Sequence, residues 1–216
     1  MRNLCIISDK REELIEVKGL LEGAGYNVVG EGTSGFDAIE LCRRFSPDAL
    51  LMDMLMPGMD GIEAARTISL LYPTTLILLI EKYDEGIIKD AAEAGTMACL
   101  VKPLEAKDLF PAIELAISRF RAFLMLKDEN ISLREELKSR EVLEKAKRIL
   151  MERMRLSEGE AFKRIRKMSM DARMTKRDIA ETVILSWEGG MRVGSEEGSR
   201  TSTYRTRRSR YYRKGP

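Results

Sequence analysis

Short apolar runs alternate with amphipathic stretches through the first 120 residues, and this alternation restricts the fold more than anything else in the chain. Leu4-Cys5-Ile6-Ile7, Val28-Val29-Gly30, Ala49-Leu50-Leu51-Met52, Leu76 to Ile80 and Ala98 to Val101 read as five strands. Their apolar runs are continuous rather than alternating, which predicts strands covered on both faces. Glu12 to Gly23, Gly35 to Phe45, Gly61 to Leu71 and Gly86 to Ala94 read as the intervening helices, and a last helix starts at Ala106. Such a βα alternation predicts an α/β, doubly wound, five-stranded parallel sheet. In folds of that kind the functional side chains collect at the carboxyl ends of the strands.

After Pro111 no Gly or Pro occurs until Gly159, so the last helix is expected to be long. Phe123, Leu126, Asn130, Leu133 and Leu137 follow one another at steps of three and four. That spacing is an a/d seam with Asn130 at an a position, where a single Asn sets register and partner number. It predicts a coiled-coil homodimer, with packing of the helix along its own domain as the alternative. Residues 141–188 read as three helices. The first runs to about Arg155. Ser157 and Glu160 form a capping box for the second, whose apolar stripe is Ala161, Ile165, Met168 and Ala172. Thr175 and Asp178 cap the third, with Ile179, Val183 and Trp187 as its buried face. From Gly189 the chain is rich in Gly, Ser, Arg and Tyr without periodicity and reads as a disordered tail. The expected divisions are therefore 1–120, a helical linker 121–140, a helical bundle 141–188, and the tail 189–216.

A formal net charge of +2 conceals a division: residues 1–120 carry −8, while 140–180 and 189–216 carry +6 each. An acidic front joined to a basic back suggests control at one end and a polyanion at the other. The chain has no histidine, which removes Ser-His-Asp hydrolases and histidine zinc sites. Three well-separated cysteines (Cys5, Cys42 and Cys99) make no CxxC pair, so a disulfide scaffold is not expected and a reducing cytoplasm fits. The first residues lack the apolar run of a signal peptide, and no later stretch reaches membrane-spanning length, so no membrane association is expected.

On the expected sheet, Asp9 follows the first strand, Asp53 ends the third and Lys102-Pro103 ends the fifth. Two carboxylates and an ammonium would then share one crevice. Paired carboxylates repel unless a cation sits between them, and Mg²⁺ is the oxygen-seeking choice. A carboxylate beside Mg²⁺ and lysine can attack a phosphoryl group; a solvated cluster of loop charges is the plainer reading. The string Leu51-Met52-Asp53-Met54-Leu55-Met56-Pro57-Gly58-Met59-Asp60-Gly61, with Asp9 and Lys102-Pro103, resembles a response-regulator receiver domain, a flavodoxin-like fold. The resemblance implies that Asp53 is the phospho-acceptor, that Asp9, Asp53 and the Leu55 carbonyl hold Mg²⁺, that Lys102 binds the phosphoryl group, and that a histidine kinase is a partner. Three positions depart from the family pattern. Ser8 stands where the first of an acidic pair is usual, Ile80 where strand four ends in Thr or Ser, and Cys99 where a switch aromatic is usual. The domain is then either a degenerate phospho-receiver or a pseudo-receiver controlled by a regulatory protein, and weak or absent phospho-control is the preferred expectation.

The back half resembles the ANTAR module of AmiR and NasR type transcription antiterminators. The matching residues are Ala146 to Met151, Leu156-Ser157-Glu158, Glu160-Ala161-Phe162, Ile165-Arg166, Ser169-Met170-Asp171, Arg173 and Ile179-Ala180. Ala146, Ile149, Leu150, Ala161, Phe162, Ile165 and Met170 are expected in the bundle core. Lys147, Lys163, Arg164, Arg166, Lys167, Arg173, Lys176 and Arg177 are the expected RNA contacts. The resemblance implies binding of paired hairpins in nascent leader RNA, as a dimer, so that a terminator does not form. DNA binding by a response-regulator transcription factor is the alternative, though the third helix is basic only in its first turn and makes a poor groove reader. A protein-interaction scaffold is a further one. The tail's Arg, Tyr204, Tyr211 and Tyr212 suit single-stranded nucleic acid but equally an expendable terminus. No enzymatic activity is expected beyond gain and loss of a phosphoryl group at Asp53.

Overall fold

A computed structural model describes residues 1–188. Five strands, β1 (Asn3–Ile7), β2 (Asn27–Gly32), β3 (Ala49–Asp53), β4 (Thr75–Ile80) and β5 (Ala98–Val101), form one parallel sheet in the order β2-β1-β3-β4-β5. The connecting helices are α1 (Arg11–Gly23), α2 (Gly35–Phe45), α3 (Gly61–Leu71) and α4 (Glu85–Glu93), and α5 (Ala106–Met154) follows β5. The doubly wound architecture is the one the apolar runs predict.

Alternate strand residues serve opposite faces, and that period of two explains why both faces are dry. Leu4, Ile6, Ala49, Leu51, Ile77 and Leu79 pack under α1 and the start of α5, against Leu14, Val17, Leu21, Leu109, Ile113 and Ile117. Cys5, Ile7, Leu50, Met52, Leu76 and Leu78 pack under α2, α3 and α4, against Ala38, Cys42, Ala64, Ile68 and Ala91. Burying each large aliphatic chain contributes about 1.5–3 kcal/mol, so the two layers fix the strand ends firmly. Cys5 and Cys42 belong to this core. Burial pushes their thiols up to about 12 and about 11, which makes them inert packing groups.

Helix α5 is 49 residues long and runs without interruption through both expected boundaries, after 120 and after 140. The chain's internal contacts divide within it, between Ser132 and Leu133. The expected linker is therefore a stretch of one helix and has no fold of its own. Along it Phe123, Leu126, Leu133 and Leu137 are each at least half exposed.

Two further helices, α6 (Glu158–Ala172) and α7 (Lys176–Glu188), complete a bundle with the end of α5. Both expected caps form. Ser157 Oγ accepts from the Glu160 N–H while Glu160 accepts from the Ser157 N–H, and Thr175 and Asp178 exchange the same pair of bonds. Ala146, Leu150, Ala161, Ile165, Ile179, Ala180, Val183 and Ile184 are the buried centre. Two core expectations fail: Met170 is 68% exposed because it lies on the side of α6 that faces away from Ala161 and Ile165, and Ala172 is exposed although it shares their face, because it is the last residue of the helix. The expected tail, 189–216, lies outside the described residues.

Candidate functional site

At the carboxyl end of the sheet, Asp9, Asp53, Leu55 and Lys102 line one cavity of about 150 Å³, with Lys10 and Glu81 beside them. Each is placed by local chain chemistry. β3 carries Asp53 to its last position, where it is only 3% exposed. The loop after it must fold back at once. Gly58 takes a left-handed φ of +82°, and the Gly61 N–H donates to the Met54 carbonyl at 2.7 Å. A Cβ on Gly61 would stand 2.5 Å from the Asp53 carbonyl oxygen, so only glycine permits that closure. Asp60 then caps α3 by accepting from the Glu63 N–H at 2.8 Å.

Lys102 follows β5, its N–H tied to the Ile80 carbonyl at 2.9 Å and its peptide to Pro103 cis. Its ammonium stands 2.6 Å from Asp53 Oδ1, 3.8 Å from Glu81 Oε1, and in hydrogen-bond contact with Glu13 Oε2. Lys10 Nζ closes the network at 2.9 Å from Glu13 and 2.7 Å from Glu81. Burial works to lower the Lys102 ammonium's pKa, but the Asp53 and Glu13 carboxylates outweigh it and hold the value above the ordinary one. Partial burial likewise pushes Glu13 up, and Lys102 and Lys10 bring it below the usual carboxylate range. The Lys102 contact at Asp53 Oδ1 is ionic without hydrogen-bond angles, so this buried oxygen makes no directional bond.

Asp53, Asp9 at the rim and the Leu55 carbonyl suit a hydrated Mg²⁺, which uses one or two carboxylates and keeps several waters. No cluster of three acidic or sulfur ligands occurs among the described residues. Ser8, next to Asp9, brings a neutral hydroxyl: it is buried, its N–H donates to the Gly32 carbonyl, and its Oγ accepts from the Lys10 N–H at 3.2 Å. Ile80 is buried at the end of β4, and Cys99 packs into the cluster beneath α2–α4. Neither can donate a switching hydroxyl or swing an aromatic ring. Glu13, Glu81 and Lys10 are site residues that the sequence analysis missed. Glu81 had a signal, being the first residue past β4; Glu13 reads in the sequence only as an acidic group in a helix's first turn.

The second candidate surface is on the bundle. Lys163, Arg166 and Lys167 recur at three- and four-residue steps along the exposed side of α6, joined by Met170. Arg164, Arg166, Lys167 and Arg173 are exposed and form no ion pair among the described residues, and Lys163 is exposed near Glu160. Arg173 sits in the left-handed cap of α6 (φ 53°), and Lys176 lies 5.2 Å above the Phe162 ring. Two of the expected contacts are paired within the bundle. Lys147 is buried, held by Glu144 at 2.8 Å and Glu158 at 2.7 Å, because its side of α5 faces the start of α6. Arg177 is half-buried and donates to Glu181 at 3.0 Å, one turn along α7. Both cations have internal partners. A cleft of about 380 Å³ between the helices, rimmed by Arg153, Arg164 and Trp187, escaped the sequence analysis because it depends on helix packing.

Comparison with known proteins matches residues 4–114 to the response regulator receiver domain and residues 132–184 to the ANTAR domain. The transcriptional regulatory protein PdtaR of Mycobacterium tuberculosis is 38% identical over 183 residues, 85% of this chain and 89% of that protein. The response regulator domain of Thermotoga maritima CheB covers 55% of this chain and 97% of its own at TM-score 0.52 and 25% identity. A response regulator receiver domain protein from Clostridium thermocellum covers 57% and 99% at TM-score 0.52 and 28% identity. The chain therefore belongs to the response regulators in which a receiver domain is followed by an ANTAR domain.

Proposed function

We propose that this receiver–ANTAR response regulator binds hairpins in nascent leader RNA through the exposed basic side of its bundle and so prevents transcription termination. The observation that supports it is the run Lys163, Arg166 and Lys167 on α6 continuing to Arg173 and Lys176, exposed and without carboxylates in ion-pair contact among the described residues. Phosphates attract such a surface, and splayed loop bases need apolar or planar partners, for which Met170 is at hand. The exposed seam of α5 would pair two copies, giving two bundles for two hairpins. No helix among the described residues is long and apolar enough to cross a membrane, in keeping with action on transcripts in the cytoplasm.

The chemistry of the front domain is confined to Asp53. Asp9, Asp53 and the Leu55 carbonyl would hold Mg²⁺, which supplies charge neutralisation for a transferring phosphoryl group; Lys102 would bind that group's oxygens, and a histidine kinase would be the donor. With Ile80 and Cys99 in place of the usual hydroxyl and aromatic, transmission from this pocket is weak, and dimerisation or a regulatory protein sets the output. Gel-shift titration of the full chain tests the RNA reading. Binding to a looped RNA hairpin should weaken steeply with salt and be absent with duplex DNA of equal length. Equal or tighter binding to the DNA would replace it with a DNA-binding transcription factor.

A further inference from the structure

Asp53 needs Lys102 as a counter-charge, yet Lys102 is already shared. An ammonium has three N–H donors. One side of this ammonium faces Asp53 Oδ1 at 2.6 Å, and another is hydrogen-bonded to Glu13 Oε2, reached from the first turn of α1. Glu81 stands 3.8 Å away. Beyond this group a second cavity of about 300 Å³ is lined by the same Glu13 and Glu81, by Glu16, and by the apolar Val17, Leu20 and Leu104, so it brings no further cation to the lysine. Lys10 ties Glu13 and Glu81 together and fixes Glu13 in place. Ser8, next to Asp9, brings no negative charge where an acidic residue is usual in receiver domains. The charge pattern is thus inverted: less to draw Mg²⁺ at the rim, more to occupy the lysine.

We propose that Glu13 is a positioning residue that acts as a brake on Asp53, holding the Lys102 ammonium in a carboxylate clamp so that an arriving phosphoryl group meets a cation already paired. The inference rests on the reading of Asp53 as phospho-acceptor. In the step concerned, a carboxylate oxygen of Asp53 forms a bond to the phosphorus of an acyl phosphate. The bond from phosphorus to the carboxylate leaving group breaks, and its electron pair departs with that carboxylate. No proton or electron carrier is needed. Lys102 stabilises the charge that develops on the phosphoryl oxygens, and each carboxylate on the same ammonium reduces that stabilisation.

The full chain, its Glu13→Gln and Lys102→Met variants and the double variant are incubated with Mg²⁺ and acetyl phosphate, and label at Asp53 is followed by intact mass. Glu13→Gln should label roughly two- to fivefold faster than the parent, the size of effect that a partly exposed charge pair exerts on a barrier. In the Lys102→Met background the Glu13 substitution should change nothing. Unchanged or slower labelling of Glu13→Gln, or a gain that survives without Lys102, would overturn the brake. If no protein labels, beryllofluoride with Mg²⁺ followed by fluorine NMR decides. Tighter binding to Glu13→Gln supports the clamp, and equal binding rejects it while leaving Asp53 as the acceptor. No binding to either protein removes the acceptor reading and the brake together.

Discussion

In the front domain, Lys102 is surrounded by Asp53, Glu13 and Glu81, and Lys10 ties two of those carboxylates to each other. On α6, Arg166 and Lys167 stand in solvent with no ion-pair partner among the described residues. Both regions are rich in lysine or arginine and acidic neighbours are available to both, yet only one network is closed. A closed network, buried at Asp53 and open at Lys10 and Glu81, holds its members in fixed positions and answers a small ligand that can enter it. Unpaired exposed cations contribute nothing to folding and are spare for an external polyanion. Lys147 shows how little separates the two cases: it belongs to the same basic segment as Arg166, but two carboxylates and burial have made it part of the bundle's frame.

The largest expected effect follows from that distinction. Arg166→Glu with Lys167→Glu should lower hairpin affinity by about tenfold or more and leave the thermal unfolding of the bundle unchanged, since each substitution replaces a phosphate contact with repulsion. Lys147→Met should do the reverse, lowering the melting temperature while affinity below the transition falls far less. If the two variants behaved alike, the division between frame and contact residues would be broken.

A smaller effect concerns the seam. Asn130→Leu should tighten self-association in sedimentation and admit assemblies larger than a dimer, because the polar a position no longer fixes the partner number. A monomer unaffected by the change would mean that the exposed face of α5 has another use. Smaller still is the pH response of the bundle. Lys147 holds the Glu158 carboxyl below its ordinary value of 4.5. A carboxylate with a depressed folded value stabilises the fold above its unfolded value, and that contribution is lost as pH falls through the folded one. Melting of the parent should therefore weaken more than melting of Glu158→Gln as pH falls from about 5 through the lowered Glu158 value. Parallel pH curves would show the pair to be idle.

How much of this was legible in the sequence depended on range. Strand cores such as Leu76–Ile80 and the caps Ser157 and Thr175 are written in neighbouring residues and were all read correctly. So was the gathering of Asp9, Asp53 and Lys102, because parallel strands bring their carboxyl ends together whatever lies between. Glu13 was not legible, since its partner Lys102 is 89 residues away and nothing in the local pattern marks the contact. The pairing of Lys147 is hidden for a similar reason. Its exposure is decided by where Glu158 falls after a turn of the chain, and a cation on a helix has the same letter whether paired or free. Met170 was placed in the core on its chemistry alone, although its position on α6 shares a face with Lys163 and Lys167.

The most direct test of the central claim, that the exposed cations of α6 grip the phosphates of a transcript, is the salt dependence of hairpin binding by the full chain and by the Arg166→Glu, Lys167→Glu variant. The parent should show a log–log slope of about −2 to −3 per bundle, and the variant a slope shallower by about one to two, as lost contacts release fewer counterions. Equal slopes for the two proteins would contradict the claim, for the cations would then be solvated ornaments and the transcript would be held elsewhere.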